Sequence, residues 1–279
     1  MIVSVSRRTD IPRFYWDDFI KALERGWVEV TNPFNQAQRR IVSLQPSAVD
    51  ALVFWTRDPE RILADALWLE KRGFWFYVMV TITGYPSLLE PNQPKEEALF
   101  FSLERLSQLL GKERIIWRYD PVFLSNITNY QFHQDNFSRL CMVMGNLVQR
   151  VVISLYDPYK KAQKRLQQCE AKGLEVFPLY TSEGENPQGE LQELLGYFRD
   201  CAVMNGLDIR SCAEGPWMEA LGIGPNACID GDLIKRLAGC EGKVIKKDPY
   251  QRPGCRCVSS VDIGRYGTCQ ARCVYCYAW

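Results

Sequence analysis

Short apolar runs alternate with amphipathic helical stretches, and this alternation is the feature that most constrains the fold. Between the runs, apolar side chains recur at helical spacing, as at Leu99, Leu103 and Leu106. Strand–helix alternation at about 30 residues per unit requires right-handed crossovers and a parallel sheet. The pattern therefore predicts an α/β fold, a TIM-barrel-like (β/α) barrel, complete or partial. The seven expected strands cover residues 2–6, 51–55, 74–82, 114–119, 150–155, 174–179 and 207–211.

Residues 28–44 interrupt this alternation. Their Val-Glu-Val and Arg-Ile-Val-Ser-Leu segments flank a Thr-Asn-Pro-Phe-Asn turn, which predicts a β-hairpin insertion. We expect the barrel in residues 1–211. Residues 212–279 should form a cysteine-rich, cluster-binding segment packed on the mouth of the barrel.

The charge balance excludes a strong general attraction to nucleic acid or to an anionic membrane. Lys and Arg number 34 against 33 Asp and Glu, a net charge of +1. The longest apolar run, 74–80, is far shorter than the roughly 20 residues of a membrane helix. The first residues also lack the regions of a signal peptide. We therefore expect a cytoplasmic protein without a membrane partner. In the reducing cytoplasm, cysteines ligate metals more often than they form disulfides.

The eleven cysteines are unevenly distributed. Cys141, Cys169 and Cys201 recur on the apolar faces of expected helices, where free cysteine packs as a small hydrophobe. The other eight lie between residues 212 and 276, in a stretch with much Gly and Pro and little periodicity. Such a stretch is typically held together by metal. Of these eight, Cys240 is expected not to be a ligand.

Three of these cysteines have the spacing C-x3-C-x2-C, at Cys269, Cys273 and Cys276. Three thiolates can hold a cubane cluster while its fourth iron has no protein ligand, whereas ferredoxin sites use four cysteines. An open iron accepts a bidentate small ligand. The spacing therefore favours a catalytic cluster over one used only for electron transfer.

The motif resembles the signature of radical S-adenosylmethionine (SAM) enzymes, with Tyr275 as the aromatic residue before the third cysteine. The resemblance implies that Cys269, Cys273 and Cys276 hold a 4Fe-4S cluster whose open iron binds the amino and carboxyl groups of SAM. Reduction, by a donor such as flavodoxin or ferredoxin, then yields methionine and a 5′-deoxyadenosyl radical that abstracts hydrogen from a substrate. Tyr275 matches the aromatic position near the adenine.

Radical SAM enzymes usually carry this motif after their first strand, whereas here it follows the expected barrel. Residues 260–264 form a candidate strand feeding the cluster loop, in a circularly permuted arrangement. The whole chain resembles an uncharacterised bacterial and archaeal family, a domain of unknown function with a radical-SAM-like cysteine cluster. The matching stretches are 6–12, 228–230, 251–257, 260–264 and 273–278.

A second metal site is expected at Cys212, Cys228, Cys255 and Cys257. The pair Cys255 and Cys257 is too close in sequence for a relaxed disulfide but suits two ligands of one metal or cluster. Four thiolates fit a second 4Fe-4S cluster or a tetrahedral zinc, and the softness of the ligands favours the cluster.

Polar residues follow the expected strands, where α/β barrels carry their chemistry. His133 is the only histidine and is expected on the surface, which leaves no histidine for a Ser-His-Asp triad. Acid–base and substrate-orienting roles then fall to charged side chains near the strand ends. The candidates are Arg7, Arg8, Asp10, Arg57, Arg118, Asp120 and Glu214.

Other functions compete with a radical SAM enzyme acting on a small or unknown substrate. One is the repair or modification of nucleic acid, as in radical SAM lyases, since eight Trp and 13 Tyr could stack bases. The near-neutral charge disfavours it. A zinc-stapled or cluster-stapled binding protein and an electron carrier are the non-catalytic alternatives.

Overall fold

The computed structural model describes residues 1–179, 189–239, 244–252 and 254–279, and Cys240 lies outside these ranges. Its strands are β1 (Ile2–Val5), β2 (Trp27–Asn32), β3 (Asn35–Ser43), β4 (Ala51–Thr56), β5 (Phe76–Thr81), β6 (Ile115–Val122), β7 (Arg150–Leu155), β8 (Asp208–Ser211), β9 (Gly224–Pro225) and β10 (Val261–Asp262). Its helices are α1 (Ile11–Phe14), α2 (Trp16–Arg25), α3 (Glu60–Lys71), α4 (Glu96–Leu110), α5 (Tyr130–Met144), α6 (Lys160–Glu170), α7 (Glu190–Met204), α8 (Trp217–Ala220) and α9 (Gly231–Leu237).

Eight strands form one parallel sheet in the order β10-β1-β4-β5-β6-β7-β8-β9. The predicted α/β class is confirmed. In the part of the chain that the structure describes, no pairing joins β9 to β10, so a closed barrel is not detected. The two edge strands come from residues 212–279, which therefore complete the same sheet as residues 1–211.

The sheet is buried on both faces, which explains its nearly continuous apolar strands. On β4, Leu52 and Phe54 point to the main core, formed with helices of the outer layer. Val53 and Trp55 point to the opposite face, where they pack against α9 and the cysteines Cys228, Cys255 and Cys257. The cysteine-rich segment thus fills one face of the sheet instead of only covering its end.

Two predictions about local structure have opposite outcomes. The hairpin is confirmed, since β2 and β3 pair antiparallel. The strand expected at 174–179 is wrong: Val176 makes a single bridge to Ser125, and β7 pairs directly with β8. Its backbone bonds go instead to the loop after β6, where the Phe177 amide donates to the Leu124 carbonyl at 3.0 Å. The next residue, Pro178, has no N–H to give a ladder.

The expected surface position of His133 is also wrong. The imidazole is fully buried, with Nδ1 2.8 Å from the Tyr119 hydroxyl and Nε2 3.1 Å from the Phe123 carbonyl. Burial lowers the pKa of His133 to about 4, so the ring is neutral at pH 7. Several residues near His133 in sequence are polar and give no sign of this burial. Its hydrogen-bond partners lie elsewhere, Tyr119 on β6 and Phe123 just after it.

Cys141, Cys169 and Cys201 are buried on α5, α6 and α7, as the helical spacing predicts. The longest helices, α4, α5 and α7, have 15 residues each. None of the helices in the described ranges has the length and apolar character that crossing a membrane requires.

Asp262 joins β10 to β1 through a buried carboxylate. It accepts hydrogen bonds from the Ser4 and Ser6 hydroxyls at 2.9 and 2.6 Å, and from the Arg7 amide at 2.9 Å. The Gly264 amide donates to it at 3.0 Å. Gly264 must lack a side chain, because a Cβ there would lie 2.0 Å from Ser6 Oγ. The chain after β10 is therefore held tightly against the end of β1.

We predict that Asp262→Ala lowers the free energy of unfolding by roughly 3–5 kcal/mol, because it leaves buried donors and the neighbouring guanidiniums without their acceptor. Urea unfolding measures the change. Asp17→Ala is the control, since the Asp17–Arg61 pair is exposed and is worth at most about 1 kcal/mol. Equal effects of the two substitutions would contradict the role given to Asp262.

Candidate active site at the carboxyl ends of the strands

A cavity of about 440 Å³ opens where β1, β4, β5, β6, β7 and β8 end. Most residues singled out from the sequence line it together. Glu214 is not in the lining, and its Oε1 accepts the Leu155 amide at 2.9 Å. The lining includes Arg7, Arg8, Asp10, Arg57, Arg118, Asp120, Tyr275 and the cysteines Cys212, Cys228, Cys255, Cys257, Cys269, Cys273 and Cys276.

The loop that carries the C-x3-C-x2-C motif is tied down through its backbone. The Val274 amide donates to the Leu89 carbonyl at 2.9 Å. Arg165, on α6, donates to the carbonyls of Val274 at 3.2 Å, Trp279 at 2.7 Å, and Cys276. Because these contacts use carbonyl oxygens, they leave the three thiols free to face the cavity.

The three thiols of the motif are largely withdrawn from solvent. Cys273 is buried, and Cys269 and Cys276 are half-buried. Burial raises the pKa of Cys273 and Cys276, and the charge of Arg57 opposes that rise at both. The Ala278 amide donates to Cys276 Sγ at 3.4 Å, a bond of the kind that tunes cluster thiolates.

No three His, Cys, Asp or Glu side chains among the described residues are grouped so as to hold a metal ion. This finding concerns the side chains as they stand. A cluster of several metal atoms spreads its thiolates further apart than a single ion does.

Arg57 is the centre of a buried polar network beneath the loop. Its guanidinium binds both oxygens of Glu90, at 2.7 and 3.0 Å, and donates to the Tyr275 hydroxyl at 2.9 Å. Thr83 also donates to Glu90 at 2.8 Å. The Tyr275 ring stacks on Phe123 with a centroid distance of 5.6 Å. Tyr275 therefore anchors the motif to β4, whether or not it also contacts a nucleoside.

Asp10 follows β1 and caps α1. Its carboxylate accepts the Arg13 amide at 3.1 Å and the Arg57 amide at 2.8 Å. Burial raises the pKa of Asp10 from 3.8 to about 6, although both hydrogen bonds oppose the rise. Asp10 can therefore exchange a proton near neutral pH.

Trp55, Arg118 and Asp120 form another part of the cavity wall. Asp120 accepts hydrogen bonds from Arg118 and from the Ser154 hydroxyl. The Arg118 guanidinium lies 4.9 Å from the Trp55 ring centroid. Trp55 Nε1 and Arg118 Nε are buried donors without a protein acceptor. A ligand with an acceptor group would satisfy them.

Sequence reasoning missed Glu90, Trp55 and Asp262. Glu90 stands in Leu-Leu-Glu-Pro, where a carboxylate beside apolar residues was a usable signal of a buried pair. The sequence around Trp55 indicates a core residue, and its side chain is indeed buried. Only the indole N–H lacks a protein acceptor. Asp262 lies in a stretch recognised as a strand. The four groups that donate hydrogen bonds to it become its neighbours only in the folded sheet.

The fold and the site define an α/β protein with a parallel sheet and a cavity lined by cysteine and arginine at the strand ends. The chain belongs to the family described as Domain of unknown function (DUF1848), whose model matches residues 2–278. Comparison with the curated proteins and with the solved structures gave no match.

We predict that Asp10→Asn changes the pH dependence of stability. A raised carboxyl pKa stabilises the folded state while Asp10 is protonated, and this contribution is lost as pH rises from about 4 to about 6. The unfolding free energy of the variant, relative to the native chain, should therefore increase by roughly 3 kcal/mol across that range. Urea unfolding at several pH values measures it. Asp18→Asn, at an exposed site on α2, should give no such change.

We predict that Arg165→Ala loosens the motif loop. Loss of its carbonyl contacts should raise the rate at which a thiol reagent labels Cys273 about tenfold, through local opening. Mass spectrometry of the labelled peptides, in protein without added metal, gives the rate. Lys164→Ala, at an exposed neighbour on the same helix, is the control. Unchanged labelling in Arg165→Ala would show that these contacts do not hold the loop.

Proposed function

We propose that this protein is an iron–sulfur enzyme of the radical SAM type. Cys269, Cys273 and Cys276 are the thiolate ligands of a 4Fe-4S cluster that faces the cavity. The observation that carries the proposal is their joint position: all three line the cavity in which six parallel strands end. A loop with only three cysteines leaves one iron without a protein ligand. When bound and reduced, the cluster supplies the electron that cleaves SAM to methionine and a 5′-deoxyadenosyl radical.

The order of strands supports this proposal. The motif follows β10, which pairs in parallel with β1 through Val261 and Asp262. In space β10 therefore precedes β1, and the motif follows the first strand of the spatial order, as in radical SAM enzymes. We propose accordingly that the sheet is a circularly permuted partial barrel. Its cysteine-rich segment lies against the inner face and the mouth.

The polar groups around the cavity have separate roles in the proposed reaction. Arg57 lines the cavity together with Cys273, and its positive charge compensates negative charge on the thiolates. The unpaired N–H groups of Trp55 and Arg118 orient an acceptor on SAM or on the substrate. Asp10, with its raised pKa, holds or releases a proton at its carboxyl group. The cavity volume falls within the range of small-molecule sites, so a small-molecule substrate fits.

The proposed reaction requires one electron from a partner for each cleavage of SAM. A low-potential flavodoxin or ferredoxin is the donor class that supplies it. Transfer of a hydrogen atom from the substrate would give 5′-deoxyadenosine and leave the unpaired electron on the substrate. Product analysis can therefore follow the reaction before the substrate is known.

The test is an anaerobic reconstitution with iron and sulfide, followed by EPR of the dithionite-reduced protein with and without SAM. We expect a 4Fe-4S signal that changes when SAM is added, together with formation of 5′-deoxyadenosine. Cys273→Ser should abolish the SAM-dependent change. The matched control, Cys201→Ser, replaces a buried core cysteine on α7 and should retain the change.

Two results would overturn the proposal. A cluster signal indifferent to SAM would make the protein an electron carrier or a cluster-stapled protein. A SAM-dependent signal that survives in Cys273→Ser would place SAM on a cluster other than the one held by the motif.

A further inference from the structure

We infer that Cys212, Cys228, Cys255 and Cys257 form a second metal centre, a four-thiolate site for a thiophilic metal, on the wall of the same cavity. The metal is zinc or the iron of a second cluster, since both prefer soft sulfur ligands. This inference does not depend on SAM chemistry at the motif cysteines. It rests on how four thiols from separate parts of the chain are brought together.

The four cysteines come from separate parts of the chain and pack in one cluster. Cys212 follows β8, Cys228 precedes α9, and Cys255 and Cys257 come from the loop before β10. Cys212 Sγ and Cys228 Sγ lie 3.4 Å apart. Cys228, Cys255 and Cys257 belong to one buried cluster, and Cys212 packs against it. All four also line the cavity.

The 3.4 Å between Cys212 Sγ and Cys228 Sγ is close to the separation of two thiolates on a single metal ion. A tetrahedral zinc with Zn–S bonds of about 2.3 Å holds its sulfurs about 3.8 Å apart. Among the described residues, no three His, Cys, Asp or Glu side chains are grouped so as to hold a metal ion, so the thiols do not yet surround one point. Ligation requires the thiol groups to turn toward a common point.

Neighbouring donors are aimed at sulfur. Asn226 Nδ2 donates to Cys228 Sγ at 3.4 Å, and the Ile229 amide donates to Cys257 Sγ at 3.3 Å. Hydrogen bonds from N–H groups to sulfur are a regular feature of the surroundings of metal thiolates, where they offset negative charge. The core cysteine Cys201 has a longer contact of this kind, with Asn205 Nδ2 at 3.9 Å.

Positive charge surrounds the group as well. Arg7, Arg118 and Arg252 line the same cavity as the four thiols. The Arg252 guanidinium also donates to the Cys212 carbonyl at 3.1 Å. Binding of a divalent ion by four thiols releases four protons and leaves a net charge of −2 on the site. Three guanidiniums are suited to compensate that charge in a partly buried cavity.

The surroundings differ from those of the cysteines that pack in the main core. Cys141 and Cys201 lie among buried apolar side chains of α5 and α7. A disulfide between Cys212 and Cys228 would use one pair only and leave Cys255 and Cys257 without a role. A metal uses all four. It also fixes the segment that packs α9 against Trp55 and Tyr77.

The experiment measures iron and zinc per chain, after anaerobic purification, in the native protein and in Cys228→Ser, Cys255→Ser, Cys273→Ser and Cys201→Ser. We expect Cys228→Ser and Cys255→Ser each to lose about one zinc or about four irons per chain, which also identifies the metal. Cys273→Ser should lose iron independently, and Cys201→Ser should lose neither metal. Cys255→Ser, in the loop before β10, is the second variant that tests the site if Cys228→Ser does not fold.

Unchanged metal content in both Cys228→Ser and Cys255→Ser would overturn the inference. So would a Cys212–Cys228 disulfide in peptides from the anaerobically purified native protein. If Cys228→Ser loses metal while Cys273→Ser does not, the second centre stands and the proposed cluster at the motif fails. The reverse result overturns the second centre alone.

Discussion

The architecture depends on one buried carboxylate, that of Asp262. A short two-residue strand cannot hold the cysteine motif in place by backbone pairing alone. Asp262 adds hydrogen bonds from two hydroxyls and two amides, and it lies within 4 Å of the guanidiniums of Arg7 and Arg8. In this way β10 is fixed against β1. The loop after β10 then reaches the ends of the other strands, which it could not do from an unpaired edge.

The cavity brings together many groups that are costly to bury. It contains seven thiols and several guanidiniums, and nearby carboxylates pair with some of the latter. Arg57 and Glu90 satisfy one another beneath the motif, while Trp55 and Arg118 keep donors without protein acceptors. Native proteins rarely leave buried polar atoms unpaired without a ligand. Trp55 and Arg118 line the cavity that also carries the cysteine motif.

Much of the fold could be predicted from the sequence because period-2 and period-3.6 patterns report burial directly. The hairpin, the strands from β4 to β8 and the helices α4, α5 and α7 follow from them. The prediction of a strand at 174–179 was wrong because this apolar run pairs with the loop after β6. A buried loop segment and a buried strand can have the same apolar pattern. The predicted surface position of His133 was wrong because its hydrogen-bond partners, Tyr119 and the Phe123 carbonyl, lie 14 and 10 residues away. They leave no local signal in the sequence.

The sequence by itself determined the α/β class, the grouping of cysteines into a motif of three and a set of four, and the polar character of the strand ends. Spacing and residue type are enough for these features. Only the tertiary structure decided that both cysteine groups line one cavity, that Glu214 does not, and that Glu90 and Asp262 anchor the motif. These features depend on contacts between residues up to 258 positions apart. Such contacts are selected by packing and by pairing of buried polar groups, which no local pattern encodes.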